Sequence, residues 1–479
     1  MVSQSVLDKY QMTIGIECHV QLATKTKLFS GADNDARDKS PNSVVSPIDY
    51  GLPGMLPVLN WQAVELAVRA GKALNAEVAK VSRFDRKHYF YPDLPKGYQT
   101  SQLYEPIILA GYVDVPLENG TTERVRIHHA HMEEDAGKLT HFGDYSLVDL
   151  NRAGTPLIEI VSEPDIHSAE AARAFATELY RLMTYAGVTH GDLYHGNMRF
   201  DVNISIAPVG STTLGKRTEV KNLNSFRSVE KAAEYEFRRQ VELIEKGETI
   251  IQETRGWQDD KQITTSQRSK EDAQDYRYMP DADIPPIVLT EAEIDKIQAD
   301  VPKLPYEYRA EFADLDVDKS VLAVVLAKQS LAEMVSAVLA VDTPAARRTA
   351  NWVASNLSVD EDADISQVAQ AGDLVELAAM AERGEISSNA ASEIFNTLMS
   401  GSTDPRQIAE ASNLLQLSDE SAVVAVVEQV LADPASQKAI EDIKSGNDKA
   451  IGYLVGQVMK LSQGKANPSM AQKLIKERI

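Results

Sequence analysis

The sequence predicts an α+β protein: an antiparallel-sheet cradle domain followed by an all-α helical domain and a small helical tail domain. Up to about residue 300, short stretches that alternate apolar and polar residues stand between helical segments, as in strands joined by helices. After Val301-Pro302 the alternating stretches vanish, and alanine, glutamate, leucine and valine dominate. Near the end, Asn467-Pro468 has the form of an N-cap followed by proline at the first helical position. The predicted domain boundaries are 1–302, 303–411 and 412–479.

The elements of the first domain do not alternate as a regular strand–helix–strand series, which favours an antiparallel sheet. One predicted helix follows Ser168 and ends at Gly187, and another runs from about Ser228 to Lys246. In the second domain, Ser330-Leu-Ala-Glu333 has the form of a capping box that begins a helix. The predicted strands run from Met12 to Val20, Glu123 to His129, Met198 to Ser205 and Arg217 to Lys221.

Length and composition exclude several classes of protein. A chain of 479 residues is too long for one compact domain, and 43% hydrophobic and 25% charged residues are ordinary for a globular protein. The longest apolar run, Val321 to Ala327, is far shorter than the roughly 20 residues of a membrane span. The first residues lack the features of a secretory signal. The single cysteine, Cys18, fits a reducing compartment, and we expect a cytoplasmic protein.

Charge is unevenly distributed along the chain. The formal net charge is −22, which would repel the phosphates of a nucleic acid. From Lys444 to Ile479, however, seven basic and two acidic side chains give a local charge of +5. All nine histidines lie between His19 and His195, so we expect any chemistry in the N-terminal part.

Polar side chains alternate along the predicted strands, so that residues i and i+2 share a face. Such sets are Glu17 with His19, Arg199 with Asp201 and Asn203, and Glu219 with Lys221, and the run His131-Met-Glu133-Glu134-Asp135 adds three carboxylates after a histidine. Each set alone fits a solvated polar face. Together they fit the wall of a cradle for Mg²⁺ or Mn²⁺ and a nucleotide, in which Lys87, Arg199 and Lys221 would meet phosphate. The residues alone leave both interpretations open.

Two further segments have competing interpretations. Gly210 to Lys216 matches GxxxxGK, but Arg217 replaces the usual serine or threonine and a strand follows, which favours a hairpin loop over a phosphate-binding loop. The segment Ser82 to Gln99 interleaves basic and aromatic residues. It fits either a half-buried strand with extended lysine and arginine side chains or a stacking surface for a nucleotide or RNA.

Longer motifs occur along essentially the whole chain, beginning with Gly15-Ile-Glu-Cys-His-Val-Gln-Leu. The others are Gly51–Asn60, Phe84–Gln99, Asn151–Asp165, Glu219–Arg227, Arg268–Glu271, Asp275–Tyr278, Leu454–Met459 and Gly464–Pro468. With these motifs the chain resembles the B subunit of the bacterial aspartyl/glutamyl-tRNA amidotransferases. The resemblance implies a ligase in a heterotrimer that uses ATP and Mg²⁺ to phosphorylate the side-chain carboxylate of Glu mischarged on tRNA(Gln), or of Asp on tRNA(Asn). Ammonia would then replace the phosphate.

The resemblance also implies partners and residue roles. An amidase, the A subunit, would release ammonia from glutamine, a small C subunit would clamp the two larger chains, and no membrane would be involved. A scaffold that docks tRNA without catalysis is the alternative. The matching positions imply Glu17, His19, Glu134, Asp201 and Glu219 as metal ligands; Lys87, Glu133, Arg199 and Lys221 as catalytic residues; Lys87, Tyr89 and Lys96 on the ammonia path; and Lys460, Lys465, Lys473 and Lys476 as tRNA contacts.

The chain departs from the family at one place. Many members of the family carry a zinc knuckle made of two cysteine pairs, and the matching positions here are Ser30, Ala32, Ser46 and Asp49. No thiolate remains at these positions, so we expect no zinc. Packing or neighbouring residues must hold this loop instead.

Overall fold

The computed structural model describes residues 3–269, 275–358, 365, 368–416, 420–445, 448–462 and 466–479. The chain divides into two compact units, Met1–Pro305 and Tyr306–Ile479. The three domain boundaries predicted from the sequence stay predictions. The division of secondary structure confirms the predicted α+β class, because the first unit is built on antiparallel sheet and the second is helical.

The first unit contains fifteen strands and five helices among its described residues. The strands are β1 (Tyr10–Gln21), β2 (Val81–Ser82), β3 (Asp85–His88), β4 (Tyr98–Ser101), β5 (Gly111–Pro116), β6 (Thr122–Glu134), β7 (Lys138–Phe142), β8 (Tyr145–Asp149), β9 (Pro156–Ser162), β10 (Met198–Pro208), β11 (Thr218–Leu223), β12 (Glu253–Gln258), β13 (Ile263–Ser269), β14 (Met279–Pro280) and β15 (Ile287–Val288). The helices are α1 (Gln4–Leu7), α2 (Trp61–Ala73), α3 (Ala169–Tyr185), α4 (Phe226–Glu245) and α5 (Glu291–Ala299).

An eight-stranded sheet with the order β13-β12-β11-β10-β1-β9-β6-β5 forms the body of this unit. Every neighbouring pair is antiparallel except β11 and β12. A three-stranded sheet, β14-β3-β4, contacts β6 through β4. Two further pairs, β15-β2 and β7-β8, complete the strands of the described residues.

All four strands predicted from alternation are present, as β1, β6, β10 and β11. Strand β6 continues past the predicted end at His129 to Glu134. Its last five residues are all buried, because β4 covers one face of this part of the strand while the body of the sheet lies beside it. Apolar and polar residues cease to alternate where both faces of a strand are covered. The strand predicted from alternation was therefore too short at this end.

Helices α3 and α4 pack together and cover the apolar face of the sheet. Ser168 caps α3 as predicted, with its hydroxyl accepting from the Ala171 N–H at 3.0 Å. Helix α4 begins earlier than predicted, because Ser225 is its N-cap. The Phe226 ring lies 6.0 Å from that of Phe200 on β10, so the side of β10 that carries Phe200 belongs to the core.

The second unit is helical. Its capping box is not formed, since Ser330 lies inside a helix and its hydroxyl donates to the Ile365 carbonyl at 2.6 Å. Among the described residues no single helix is long and apolar enough to cross a membrane. Two consecutive helices reach the necessary length and hydropathy only when they are taken together, and the chain bends by 114° between them. The helices are α6 (Pro305–Glu311), α7 (Lys319–Val325), α8 (Gln329–Leu339), α9 (Thr343–Asn356), α10 (Ala371–Glu382), α11 (Ser388–Met399), α12 (Pro405–Ala411), α13 (Glu420–Ala432), α14 (Gln437–Lys444), α15 (Ile451–Leu461) and α16 (Pro468–Arg478), and the bent pair is α7 and α8.

Candidate active site

The register between β1 and β10 brings predicted polar residues together on one face of the eight-stranded sheet. Glu17 lies opposite Asp201, and His19 lies opposite Arg199. Because alternate residues of a strand share a face, these four side chains project from the same side of the sheet. Phe200, which lies between two of them, projects to the helices on the other side. The register therefore confirms the prediction that Glu17 with His19 and Arg199 with Asp201 lie on one polar face.

Three carboxylates meet at one end of this face, and we call Glu17, Asp201 and Glu219 the carboxylate triad. Each offers an oxygen, and these oxygens all lie within 4.8 Å of one another. The Lys221 ammonium lies 2.7 Å from Asp201 Oδ2 and 3.0 Å from Glu219 Oε1. The Asn203 amide donates to Glu17 Oε1 at 2.9 Å. Lys221 and the Asn203 amide thus hold the three carboxylates in place.

The electrostatics of the triad favour a cation. Burial and the nearby carboxylates of Glu159 and Glu219 raise the pKa of Glu17. Burial also acts to raise the pKa of Glu219, but Lys221 and the hydroxyl of Thr254 outweigh it and lower that pKa. Three carboxylates against one ammonium leave an excess of negative charge, and an all-oxygen donor set suits Mg²⁺. The residues present therefore fit the expected ion.

A second group lies further along the same face, and we call His19, Glu133 and Glu159 the histidine–glutamate group. His19 Nε2 lies 3.6 Å from Glu133 Oε1 and 3.5 Å from Glu159 Oε2. Glu159 also lies 3.4 Å from His131 Nε2. Burial acts to lower the pKa of His19, but the carboxylate of Glu159 raises it to about 9. At that pKa the imidazole carries a proton at neutral pH, so the three side chains could hold a cation with mixed nitrogen and oxygen ligands only if the cation displaces this proton.

Glu134 points away from both groups. Its carboxylate accepts a short hydrogen bond from the Lys96 ammonium and another from the Thr100 N–H at 2.9 Å. Within the part of the chain that the structure describes, neither group of potential ligands includes Glu134. The five predicted metal ligands are thus distributed over three places: the carboxylate triad, the histidine–glutamate group and this pair with Lys96. The predicted ligand set stays a prediction.

The predicted ammonia-path residues lie next to the Lys96–Glu134 pair. The Tyr89 hydroxyl donates to Gln99 Oε1 at 3.4 Å, and the Gln99 amide donates to the Glu134 carbonyl at 2.8 Å. Burial raises the pKa of Tyr89, so its hydroxyl stays protonated. These contacts connect Tyr89 with Lys96 through β4 and β6, and the path itself stays a prediction.

Two of the predicted phosphate-binding cations have different surroundings. The Lys87 ammonium lies 4.8 Å from the centre of the Tyr276 ring. Burial acts to lower the pKa of Lys87, but the nearby Glu133 carboxylate outweighs it and raises that pKa. Arg199 is held by Asp135, with Nη2 2.9 Å from Oδ2. Both cations remain charged.

A cavity of about 250 Å³ adjoins the carboxylate triad, and we call it the triad cavity. Glu17 and Asn203 line it from the sheet, and Gly215 and Arg217 line it from the loop between β10 and β11. The Asn203 side-chain oxygen is buried without a hydrogen-bond partner among the described residues. The GxxxxGK segment is a loop between antiparallel strands, as predicted, yet it forms part of this cavity wall.

At the four positions that match the zinc knuckle, an ion pair holds the loop. Asp49 Oδ2 accepts from the Lys27 ammonium at 3.3 Å, from the Ser30 hydroxyl at 3.2 Å and from the Ser46 N–H at 2.9 Å. The Lys27 side chain is fully buried, and this burial lowers its pKa. Ala32 donates its N–H to Ser30 Oγ at 3.4 Å. The expectation of no zinc stays a prediction.

The predicted tRNA contacts belong to the second unit. Lys460 lies in the last turn of α15, while Lys473 and Lys476 lie on α16, and all three are exposed. Lys465 lies outside the described residues. The role of these lysines stays a prediction.

Glu159 is the residue of the site that sequence reasoning missed. It lies within one of the sequence motifs, but the pattern assigned it no role, although the register places it between His19 and His131. The surrounding sequence could have indicated its importance, since Glu159 is the one charged residue in the strand sequence Pro156-Leu-Ile-Glu-Ile-Val-Ser162. A single carboxylate in an otherwise apolar central strand needs a buried partner.

Comparison with known proteins gives full-length matches. Residues 12–295 match the GatB/GatE catalytic domain, and residues 316–479 match the GatB domain. A protein from Synechococcus sp. (strain JA-2-3B'a(2-13)) is 44% identical over 483 residues, which cover 98% of each chain. Proteins from Alcanivorax borkumensis and Persephonella marina are 45% and 42% identical, covering 98% of this chain and 99% of theirs. All three are named as the B subunit of an aspartyl/glutamyl-tRNA(Asn/Gln) amidotransferase.

Proposed function

The chain belongs to the family of B subunits of the aspartyl/glutamyl-tRNA(Asn/Gln) amidotransferases, and from that premise we propose that it activates a carboxylate for amide formation. In this proposal the chain phosphorylates the side chain of Glu carried on tRNA(Gln), or of Asp on tRNA(Asn), with ATP. Ammonia from a partner protein then replaces the phosphate. The reaction takes place in the cytoplasm, within a heterotrimer that also contains an amidase, the A subunit, and a small C subunit.

One observation carries the proposal: two groups of potential cation ligands lie next to each other on the polar face of the sheet, and each includes one residue of β1. Glu17 of the carboxylate triad and His19 of the histidine–glutamate group are two residues apart on β1, which corresponds to about 7 Å along a strand. Bound divalent cations would neutralise the charge of the phosphate oxygens during transfer. Phosphoryl transfer depends mainly on such positioning and charge neutralisation, and needs no covalent nucleophile from the protein.

The chemistry balances without a further reactant. The substrate carboxylate oxygen attacks the terminal phosphorus of ATP, a new P–O bond forms, and the bond to ADP breaks. Ammonia then attacks the acyl carbon, the C–O bond to phosphate breaks, and inorganic phosphate leaves while nitrogen loses a proton. The first step is necessary because a free carboxylate is a poor electrophile and has no adequate leaving group.

We place the phosphates of ATP in the triad cavity, whose volume of about 250 Å³ is too small for the whole nucleotide. The cavity adjoins the carboxylates that fit Mg²⁺, and Mg²⁺ in proteins is usually held by one or two carboxylates together with substrate phosphates. Arg217, on the loop wall of the same cavity, adds a cation near the phosphates.

Lys87, Arg199 and Lys221 would stabilise the charge of the transferred group, with Glu133 fixing the position of His19. Lys221 and Arg199 are already held by carboxylates, so they would need little reorganisation when substrate binds. Lys87 forms no ion pair with any described residue within 4 Å, and its positive charge therefore remains available for an incoming anion. This difference makes Lys87 the cation most suited to contact the transferred phosphate.

Ammonia would arrive near Lys96 and Glu134. These two residues with Tyr89 form a polar patch that is separate from both potential metal sites. We assign this patch, together with Lys87, to the ammonia path. The basic side chains of the last helices, Lys460, Lys473 and Lys476, with Lys465 between them in sequence, would contact the body of the tRNA.

Isotope transfer tests the proposal directly. Charged tRNA whose side-chain carboxylate carries oxygen-18 is given to the reconstituted heterotrimer with ATP and glutamine. Because the carboxylate oxygen becomes the bridge to phosphorus, we expect one labelled oxygen in the phosphate released for each amide formed. Amide formation with unlabelled phosphate would contradict the acyl phosphate. Tight tRNA binding with no amide on either tRNA would favour the non-catalytic scaffold instead.

A further inference from the structure

A second and larger cavity lies at the other end of β1. Its volume is about 450 Å³, within the range of roughly 300–1,000 Å³ that is usual for ligand pockets. Gln21 and Asn197 line it, and they are joined by a hydrogen bond of 3.1 Å from Asn197 Nδ2 to Gln21 Oε1. Gln21 follows His19 by two residues, and Asn197 precedes Arg199 by two. The cavity, which we call the strand-end cavity, therefore continues the polar face of the sheet.

The wall of this cavity is a well-defined loop. The Asp192 N–H donates to Asn197 Oδ1 at 3.1 Å, and Asp192 Oδ1 accepts from the His195 N–H at 2.9 Å. Asp192 also lies 3.8 Å from Arg37 on the neighbouring segment. These bonds hold the loop while the Tyr194 side chain, on the same loop, is 83% exposed. An aromatic ring is thus presented to solvent at the edge of the cavity.

The remaining lining suits a nucleotide. Arg37, Lys138 and Arg152 lie in the lining, but Arg37 is paired with Asp35 and Arg152 with Asp135, which leaves Lys138 as the cation without an ion pair among the described lining residues. Lys138 forms no ion pair within 4 Å with the residues that the structure describes, so it is available for a phosphate.

Asn34 lines the cavity and is fixed by its neighbours. Its amide nitrogen donates to the carbonyls of Leu22 and Thr24, both at 3.2 Å, but its side-chain oxygen is buried without a partner among the described residues. A buried acceptor without a donor is costly, but this oxygen has almost no accessible surface, so Asn34 shapes the cavity wall without offering a contact to a ligand. Asn203 leaves the corresponding oxygen unpartnered in the triad cavity. The wall of each cavity therefore contains one asparagine oxygen without a hydrogen-bond donor among the described residues.

We propose that the strand-end cavity receives the 3′-terminal nucleotide of the aminoacylated tRNA, with a base stacked on Tyr194 and a phosphate near Lys138. This proposal rests on the proposed function. An aminoacyl group attached to that nucleotide extends along β1 towards Arg199 and His19. ATP approaches the same residues from the triad cavity at the opposite end of the strand. The two substrates then meet in the middle of the polar face without competing for space.

The test measures the binding of uncharged tRNA(Gln) to the heterotrimer, with and without the terminal adenosine of the tRNA, in the absence of ATP and glutamine. Stacking of a base on an aromatic ring accounts for about tenfold or more in affinity. We therefore expect the unmodified heterotrimer to bind full-length tRNA about tenfold more tightly than the shortened tRNA. The Tyr194→Ala variant should bind both forms with equal, weaker affinity, and Tyr194→Phe should restore the difference. Tyr104→Ala, which alters an exposed tyrosine outside the cavity, should bind like the unmodified protein.

Two results would overturn the proposal. If Tyr194→Ala still distinguishes full-length from shortened tRNA, the terminal nucleotide binds elsewhere. If Tyr194→Ala leaves tRNA affinity unchanged but raises the KM for ATP, the occupant of the cavity is ATP. Because no phosphorylation is needed for binding, a failure here leaves the oxygen-18 result intact, and a failure of the acyl phosphate leaves this measurement valid.

Discussion

Charged side chains are crowded and partly buried on the polar face of the first unit, whereas the basic side chains of the last helices are exposed to solvent. On the sheet, the His19 imidazole lies within 3.6 Å of two carboxylates, and Lys221 touches two more. On α16, Lys473 is 75% exposed at its side chain, and its ion pair with Glu477 spans 3.9 Å. Both regions are rich in charge, but the charges of the first are close together and partly buried, whereas the ion pair of Lys473 is long and exposed.

This difference predicts how each region responds to substitution. Charges that are close and partly buried interact strongly and are weakly screened by salt, so the removal of one changes the energy of its neighbours. Exposed charges interact weakly with one another and contribute small, nearly additive amounts. Substitutions on the polar face should therefore have large effects, and single substitutions in the tail should have small ones.

The largest effect is expected for Glu134→Gln, which should abolish amide formation from glutamine. The substitution removes the charge that balances Lys96 and alters the patch through which ammonia is proposed to arrive. Because Glu134 belongs to neither potential metal site among the described residues, ATP hydrolysis that depends on charged tRNA should continue, as should glutamine hydrolysis by the partner. The three activities can be measured in one reconstituted heterotrimer.

Glu123→Gln on the exposed end of the same strand is the matched control and should leave all three activities unchanged. Near-normal amide formation by Glu134→Gln would exclude Glu134 from the reaction. A parallel loss of ATP hydrolysis would instead place its carboxylate among the metal ligands, in agreement with the sequence prediction.

Asp201→Asn should lower ATP hydrolysis and amide formation together, each by about a hundredfold to a thousandfold. It removes one carboxylate of the triad and one of the two partners of Lys221, and electrostatic groups at a reacting centre commonly contribute this much. Steady-state rates with saturating charged tRNA provide the measurement. Asp114→Asn alters an ion-paired carboxylate on the edge strand β5 and serves as the control. Equal loss in both variants would show a general loss of stability.

Asp49→Asn should lower the free energy of unfolding by about 3–5 kcal/mol, because it leaves the fully buried Lys27 ammonium without its partner. Denaturant unfolding measures the change. The double substitution Lys27→Met with Asp49→Leu should recover part of the loss, since it removes both buried charges. Asp35→Asn, in an exposed pair with Arg37, should cost less than about 1 kcal/mol.

The same loop allows an elemental test. The loop of the purified protein should hold no stoichiometric zinc, because none of its four matching positions is a cysteine. Zinc at one equivalent, released when Asp49 is replaced, would contradict both the prediction and the structural role of the ion pair.

The features that the sequence predicted correctly depend on residues that are close together along the chain. Alternation along single strands predicted β1, β10 and β11 and the faces on which Glu17, His19 and Asp201 lie, because the period of a strand is a local property. The beginning of α3 was predictable for the same reason, since Ser168 caps the turn that follows it. The capping box predicted at Ser330 shows the limit of local prediction, because the Ser330 hydroxyl donates to the distant Ile365 carbonyl instead.

The grouping of the site residues was not predictable, because it depends on the register between strands that are distant in sequence. Glu133 and Glu134 are adjacent in sequence, yet one contacts His19 and the other contacts Lys96. Glu159 joins the site only because β9 pairs with both β1 and β6. The resemblance to the family implied residue roles, but the separation of the two groups of potential cation ligands from the Lys96–Glu134 pair emerged from the structure.

A smaller effect is expected from removing residues 417–479, which should weaken tRNA binding and reduce its salt dependence while ATP hydrolysis continues. A truncation at this position keeps the β-bridge between Ile386 and Leu415 and the hydrogen bond from the Gln416 N–H to the Glu385 carbonyl at 2.7 Å. A truncation at residue 412, the predicted domain boundary, would remove both. The removed helices share their own apolar cluster. Removal of each phosphate contact should lower the slope of log affinity against log salt concentration by roughly 0.7–0.9. An unchanged slope would show that the basic tail is only a solvated surface.

The smallest effect is expected for Lys473→Ala, which should weaken tRNA binding by less than about threefold. The side chain is 75% exposed, so a phosphate contact made by it is screened by salt and costs ordering of a long, mobile side chain. If the tail binds as a set of independent contacts, Lys460→Ala and Lys476→Ala should have similar effects, and the triple substitution should equal their product. Lys261→Ala in the first unit, also exposed, is the control. A decrease above about tenfold from Lys473→Ala alone would mean that this lysine enters a specific, desolvated contact, and the contrast between a coupled sheet face and an additive tail would then fail.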